Sequence, residues 1–117
     1  MNANEFMTRT KEFALRIIRL SNSLPKNNTA NIISKQLIRC GTSVGANYRA
    51  ACRAKSTADF IAKMAIVEEE CDETIYWMEI LAEAEIINEN IVADIKSEAG
   101  QILAMIVASI KTARLRK

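Results

Sequence analysis

The densest group of side chains that could bind a metal or transfer protons lies between residues 68 and 73. It consists of five carboxylates, namely Glu68, Glu69, Glu70, Asp72 and Glu73. Carboxylate metal sites in helical bundles combine inward-facing glutamates with Glu-x-x-His pairs on facing helices, and this chain has no histidine. We therefore expect a solvated acidic stripe here and assign no metal ligands.

The other reactive side chains are three cysteines, Cys40, Cys52 and Cys71. Their spacing matches no metal-binding motif, and their apolar neighbours predict reduced thiols packed as small hydrophobic residues. Without histidine the chain lacks the commonest general base, and it has no glycine-rich phosphate loop and no Ser/His/Asp set. The sequence thus predicts a protein that is not an enzyme, with no cofactor and no small-molecule substrate.

A basic stripe runs along one face of a predicted second helix. At about 100° per residue, its four side chains fall within an arc of about 80°, opposite the apolar side of that helix. They are Lys35, Arg39, Arg49 and Arg53. An ordinary solvated face is the simpler interpretation, but residues 13–58 contain no acid, and arginine suits two-point contacts with phosphate. The stripe predicts binding to the phosphates of RNA or DNA.

The distribution of charge along the chain supports two kinds of partner. Residues 1–55 carry 10 basic and 2 acidic side chains, whereas residues 56–117 carry 6 basic and 12 acidic ones. A basic second helix could therefore contact nucleic acid or the acidic third helix of another copy, and such contacts set orientation more than affinity. A protein–protein scaffold is thus the alternative function. The nucleic-acid hypothesis adds three cations at the end of the chain, Arg114, Arg116 and Lys117.

Composition favours helices. The chain has 3 glycines and 1 proline, and apolar residues make up 50% of it, so it is too poor in turn residues for a β-sandwich or barrel. No apolar run reaches the roughly 18 residues that a membrane span needs, and the polar N-terminal residues do not resemble a signal peptide. We expect a cytoplasmic protein with no membrane partner.

Hydrophobic periodicity predicts an all-α, up-down-up-down four-helix bundle formed by one domain, 1–117. The helices are expected over 4–23, 28–54, 57–87 and 90–114, and a long coiled coil is the less favoured alternative. Asn28 or Thr29 is expected to cap the second helix. The alternative for this helix is a break near Gly41, which would divide it into two short helices. The apolar side of each helix repeats at steps of 4 and 3, through Phe6, Thr10, Phe13, Ile17, Leu20 and Leu24; Ile33, Leu37, Cys40, Val44, Tyr48 and Ala51; Phe60, Met64, Val67, Cys71, Thr74, Met78 and Leu81; and Ile91, Ile95, Ala99, Ile102, Ile106, Ile110 and Ala113.

The third helix has a second apolar face, which a lone bundle helix would present to water. Its members are Ala62 and four larger residues, Ile66, Tyr76, Trp77 and Ile80. Trp and Tyr are favoured anchors of interfaces, so these residues predict the contact surface of a homo-oligomer. The alternative is that loops or the N-terminus cover this face within one copy. On the second helix, Ser43 and Asn47 form a polar pair, expected to bond to a neighbouring helix or its backbone, with a contact at a subunit boundary as the alternative.

A set of residues around the second and third predicted helices is shared with a known family: Leu24-Pro25, Gln36-Leu37-Ile38-Arg39, residues 42–49, Ala51, Arg53, Ser56, Asp59-Phe60-Ile61, Lys63, Glu69, Glu73 and Tyr76-Trp77. At these residues the sequence resembles the bacterial four-helix-bundle proteins encoded by intervening sequences within large-subunit ribosomal RNA genes. This family is similar to the accessory variability determinant proteins of diversity-generating retroelements. The resemblance implies a ring-like homo-oligomer, a pentamer in the retroelement branch, and association with nucleic acid in that branch. Many members have Glu close after the Asn-Tyr pair, where this chain has Ala50.

Overall fold

Four antiparallel helices form an elongated bundle. The computed structural model describes residues 1–116, which contain no strand and measure 47 × 20 × 20 Å. Turns of five residues connect consecutive helices, so that α2 packs between α1 and α3, and α3 also packs on α4. In the described residues, no helix has a stretch long and apolar enough to cross a bilayer. The helices are α1 (Ala3–Asn22), α2 (Asn28–Ala51), α3 (Thr57–Glu83) and α4 (Glu89–Leu115).

Each helix begins at a side chain that caps its first free N–H groups. The Asn27 side chain accepts a hydrogen bond from the Ala30 N–H at 2.9 Å, so Asn27 caps α2 and the expected cap at Asn28 or Thr29 is wrong. At α3, the Ser56 hydroxyl accepts from the Asp59 N–H at 3.0 Å. The Asp59 carboxylate reaches back to the Lys55 N–H at 3.0 Å and so completes a reciprocal cap.

Two helices end three or more residues earlier than the periodicity predicted. α2 ends at Ala51 rather than 54, which leaves Arg53 in the following turn. α3 ends at Glu83 rather than 87, because Glu85 adopts a left-handed backbone conformation with φ 59°. The Ile86 N–H donates to the Leu81 carbonyl at 3.0 Å, which is the closure that usually places glycine at the left-handed position. Because this chain has Glu there, no glycine marks the end of the helix.

The core consists of the predicted apolar sides of the helices, with one error in α4. Phe13, Leu37 and Met78 are among the largest fully buried side chains. Ile91, however, is 54% exposed, and Val92 is buried in its place. At about 100° per residue, Val92 lies about 20° from the buried Ala99, whereas Ile91 lies about 80° from it. The apolar side of α4 therefore begins with a step of 3 residues, from Val92 to Ile95, rather than with a step of 4.

Glycine brings α1 and α2 into close contact. A Cβ atom at Gly41 would lie 2.8 Å from Cγ2 of Ile17, and one at Gly45 would lie 3.2 Å from Oγ1 of Thr10. Both distances are shorter than ordinary contacts between side chains. α2 continues through both glycines, with no break near Gly41. The absence of a side chain at these two positions therefore allows α1 and α2 to approach closely.

The interface between α1 and α4 involves fewer residues than the other three interfaces between helices. An arginine bridges this interface. Nε of Arg9 donates to Oε2 of Glu98 and Nη2 donates to Oε1, each at 2.7 Å. Nη2 also donates to Oε1 of Gln101 at 2.9 Å. This two-point contact holds the first helix to the last, and no pattern in the sequence indicates it.

Candidate functional site

Arg39 pairs with acids of its own chain. Its Nη1 lies 3.2 Å from Oε2 of Glu70, and its Nη2 donates to Oε2 of Glu73, so that the guanidinium of α2 bridges two carboxylates of α3. Nε of Arg39 donates to the side chain of Gln36 at 3.3 Å. Although half of the Arg39 side chain is exposed, these acids offset its charge. Arg39, the member of the predicted stripe nearest α3, therefore contributes little positive charge to the surface.

The other three members of the stripe remain exposed. Lys35, Arg49 and Arg53 form no ion pair with any acid of residues 1–116. Lys35 and Arg49 project from α2, whereas Arg53 lies in the turn after it. Arg114 and Arg116 are also exposed at the end of α4, and Lys117 lies outside the described residues. The stripe predicted over four residues is thus a surface of three free cations.

A groove between α1 and α2 adds a cation that the sequence pattern does not reveal. Its volume is about 410 Å³, and Lys11 on α1 and Arg49 on α2 both line it. Small residues, Ala14, Gly45 and Ala46, line it as well. Lys11 belongs to a different helix from the stripe and lies 38 residues from Arg49, so periodicity within one helix could not connect the two. A helical wheel of α1, drawn with α2 as its neighbour, would have shown that Lys11 lies beside α2.

Only part of the predicted second apolar face of α3 is exposed to solvent. Ile66 is 45% exposed and Tyr76 is 52% exposed, whereas Trp77 and Ile80 are half-buried and pack against the core. Nε1 of Trp77 donates to Oε2 of Glu73 at 3.1 Å, and its ring meets Tyr76 edge-on with centroids 5.1 Å apart. The four predicted interface residues thus share one side of α3, but Ile66 and Tyr76 supply most of the exposed area.

Ser43 and Asn47 bond within their own helix. The Ser43 hydroxyl donates to the Arg39 carbonyl at 2.6 Å, and the Asn47 amide donates to the Ser43 carbonyl at 2.8 Å. Neither side chain is fully buried. The expected partner on a neighbouring helix is therefore wrong, because each side chain reaches a carbonyl four residues earlier, as short polar residues within helices often do.

The cysteines occupy two environments. Cys40 and Cys71 are buried in the core, whereas Cys52 is exposed because α2 ends just before it. Burial raises the pKa of the Cys71 thiol to about 12, and the Cys71 thiol donates to the Ala99 carbonyl at 3.4 Å. The prediction of packed thiols is confirmed for two of the three and is wrong for Cys52. Within residues 1–116, no three His, Cys, Asp or Glu side chains lie together in a way that could hold a metal.

Comparison with known proteins agrees with this architecture. The family model for the 23S rRNA-intervening sequence protein matches residues 2–108. A crystal structure of a protein of unknown function from the S23 ribosomal protein family of Bacteroides thetaiotaomicron superimposes with a TM-score of 0.87. The two sequences are 38% identical, and the match covers 95% of this chain and 99% of that one. Among curated proteins, none matches. The chain therefore belongs to the 23S rRNA-intervening sequence protein family.

Proposed function

We propose that this chain is a non-catalytic helical module of the cytoplasm that associates with RNA or DNA through the basic surface of α2. The observation that carries the proposal is the exposure of Lys35, Arg49 and Arg53 without acidic partners in the described chain. The family description, which refers to an intervening sequence of 23S rRNA, supports a nucleic acid as the partner. Such contacts recognise phosphate and not base sequence.

Binding of this kind has a characteristic dependence on salt. Each phosphate neutralised by Lys or Arg releases counterions, so the logarithm of the binding constant falls with the logarithm of salt concentration, by about 0.7 per contact for single strands. Lys35, Arg49 and Arg53 together predict a contribution of about −2 to this slope. Arg39 is left out of this slope because Glu70 and Glu73 already pair with it.

The test is fluorescence anisotropy of a labelled oligouridylate across a salt series. Wild-type protein should bind with a slope at least as steep as the contribution given above, and the triple variant Lys35→Ala, Arg49→Ala, Arg53→Ala should lose most of its affinity at low salt. A matched control replaces the exposed Lys111 on α4 with Ala. Affinity that ignores salt, or that survives in the triple variant, would contradict the proposal.

We also propose that the module works as a ring-like homo-oligomer, with five subunits as the resemblance implies. The exposed parts of Ile66 and Tyr76 support α3 as the contact surface, flanked by Trp77 and Ile80. Light scattering should give the mass of the assembly for the wild type, and the double variant Ile66→Ala, Tyr76→Ala should shift it to single chains. Ile91→Ala, at a similarly exposed residue of α4, is the control. A wild-type monomer at micromolar concentration would contradict this proposal.

The alternative function is a scaffold that binds another protein through α3 and has no role with nucleic acid. The exposed Tyr76 ring beside Trp77 is the observation that favours it. This function predicts a protein that co-purifies with the wild type and is lost from Tyr76→Ala. Tyr76 is a sharper probe than Trp77, because Trp77 packs on the core and donates to Glu73.

A further inference from the structure

The groove between α1 and α2 combines small, partly apolar lining residues with cations from both helices. Lys11 and Thr8 come from α1 and Arg49 from α2, and all three are exposed. Between them lie small residues, Ala14, Gly45 and Ala46. Because Gly45 has no Cβ to push against Thr10, the two backbones stay close and leave a slot open to solvent.

The charge of this groove is positive only. No acid lines it, and neither Lys11 nor Arg49 has an ion-pair partner among the described residues. The two acids of α1 point elsewhere, since Glu12 lies about 100° and Glu5 about 120° around the helix from Lys11. Glu5 lies on the side of Arg9, which contacts α4, and Glu12 lies between Thr8 and Arg9 around the helix without lining the groove. A ligand in the groove therefore meets cations and no competing carboxylate.

We infer that this groove holds the phosphodiester backbone of a single-stranded nucleic acid, with one phosphate between Lys11 and Arg49. The inference rests on the proposed function and adds to it both the location and the form of the partner. Unpaired nucleotides have sugar and base surfaces that can cover the apolar part of the groove. In a duplex the base faces are stacked inside the double helix, so only its phosphates could contact the cations that line the groove.

Beyond the groove, α2 and the turn after it also carry the free cations Lys35 and Arg53. Lys35 lies 14 residues before Arg49 in the same helix, a separation of about 21 Å at 1.5 Å per residue. Arg53 follows in the turn beyond Arg49. A strand seated at Lys11 and Arg49 can therefore meet further cations in both directions, so several phosphates contribute to affinity.

The acidic α3 of a second copy is the competing occupant. Not all of its carboxylates are available to a partner, because Glu70 and Glu73 pair with Arg39, and Asp59 pairs with Lys63. A nucleic-acid strand carries one charge at every nucleotide and has no internal cation to offset it. The charge of the groove is therefore better matched by a strand than by α3.

The experiment compares the full chain with its Lys11→Glu variant in anisotropy titrations of oligouridylate and oligothymidylate. Lys111→Glu, at an exposed lysine of α4, is the matched control. Lys11→Glu should weaken binding to both strands by about tenfold or more at low salt, whereas Lys111→Glu should have little effect. Lys11→Ala should reduce the salt slope by about 0.7. A duplex of oligouridylate with oligoadenylate should bind more weakly than the single strand.

Three results would overturn the inference. If Lys11→Glu behaves like Lys111→Glu while wild-type binding still depends on salt, the strand lies elsewhere on the protein. If Lys11→Glu changes only the mass of the assembly in light scattering, a second copy occupies the groove. If the duplex binds as tightly as the single strand, the apolar part of the groove plays no role. A wild type with no salt-dependent binding would instead contradict the proposed function itself.

Discussion

Nη1 of Arg39 on α2 lies 3.2 Å from Oε2 of Glu70 on α3, so one arginine of the basic stripe stabilises the bundle and is not free for a partner. Arg39→Ala should lower the free energy of unfolding by roughly 0.5–1 kcal/mol, the upper range for exposed ion pairs. It should leave the salt dependence of oligouridylate binding unchanged. Urea denaturation and anisotropy measure the two effects.

Arg49→Ala is the matched variant with the opposite expectation. Arg49 is exposed and makes no ion pair among the described residues, so stability should change by less than about 0.5 kcal/mol. The salt slope for a single strand should fall by about 0.7. If Arg39→Ala weakens binding as much as Arg49→Ala does, the ion pairs of Arg39 do not withhold its charge.

The contact between Arg9 and Glu98 should make stability depend on pH. The hydrogen bonds from Arg9 lower the pKa of the Glu98 carboxyl in the folded chain. The ion pair therefore stabilises the fold above the ordinary carboxyl pKa and is lost as pH falls through the lowered value. Arg9→Met should cost about 1 kcal/mol at neutral pH, and this cost should shrink below about pH 4. Urea denaturation across a pH series would test this, and a cost that stays constant would contradict it.

Two glycines of helix interiors should respond to alanine in opposite directions. Gly41→Ala places a methyl group 2.8 Å from Ile17 and should destabilise the chain by about 1–3 kcal/mol, as overpacking does. Gly100 lies on the exposed side of α4, where an added Cβ would meet no atom of the described residues within 4 Å. Gly100→Ala should stabilise by about 1 kcal/mol, because alanine favours the helix. Thermal unfolding measures both, and a stabilised Gly41→Ala would show that α1 and α2 do not approach as described.

The three cysteines should differ in their reaction with a thiol reagent. At about pH 8, the exposed Cys52 should react quickly because the reagent can reach it, whereas the buried Cys40 and Cys71 should be protected. Burial raises the pKa of both buried thiols, that of Cys71 to about 12, so little thiolate is present. Native protein should take up one label per chain and denatured protein three. Rapid labelling of Cys52→Ser in its native state would contradict the assignment.

Hydrophobic periodicity was enough to predict the bundle, because burial depends on which side of a helix a residue occupies. Phe13, Leu37 and Met78 are buried as their spacing indicates. The same reasoning erred at helix ends, where local backbone geometry decides. Glu85 ends α3 in a conformation that usually requires glycine, and the early end of α2 exposes Cys52.

The candidate site was harder to predict, because charge pairing depends on contacts between helices. Lys35 and Arg49 are exposed as expected, but Arg39 meets partners 31 and 34 residues away in sequence. Lys11 joins the basic surface only because α1 packs beside α2. Spacing within one helix carries no information about either relationship. Helix packing therefore divides the predicted stripe, pairing Arg39 with α3 and placing Arg49 beside α1.

Nucleic acid recovered with the native protein gives the most direct evidence on its partner. The full chain would be cross-linked by ultraviolet light in cells and purified under denaturing conditions, and the attached nucleic acid would be quantified and sequenced. We expect RNA or DNA on the wild type and a loss of most of it from the triple variant Lys35→Ala, Arg49→Ala, Arg53→Ala. Equal recovery from the two proteins, or none from the wild type, would contradict a nucleic-acid role for the basic surface of α2.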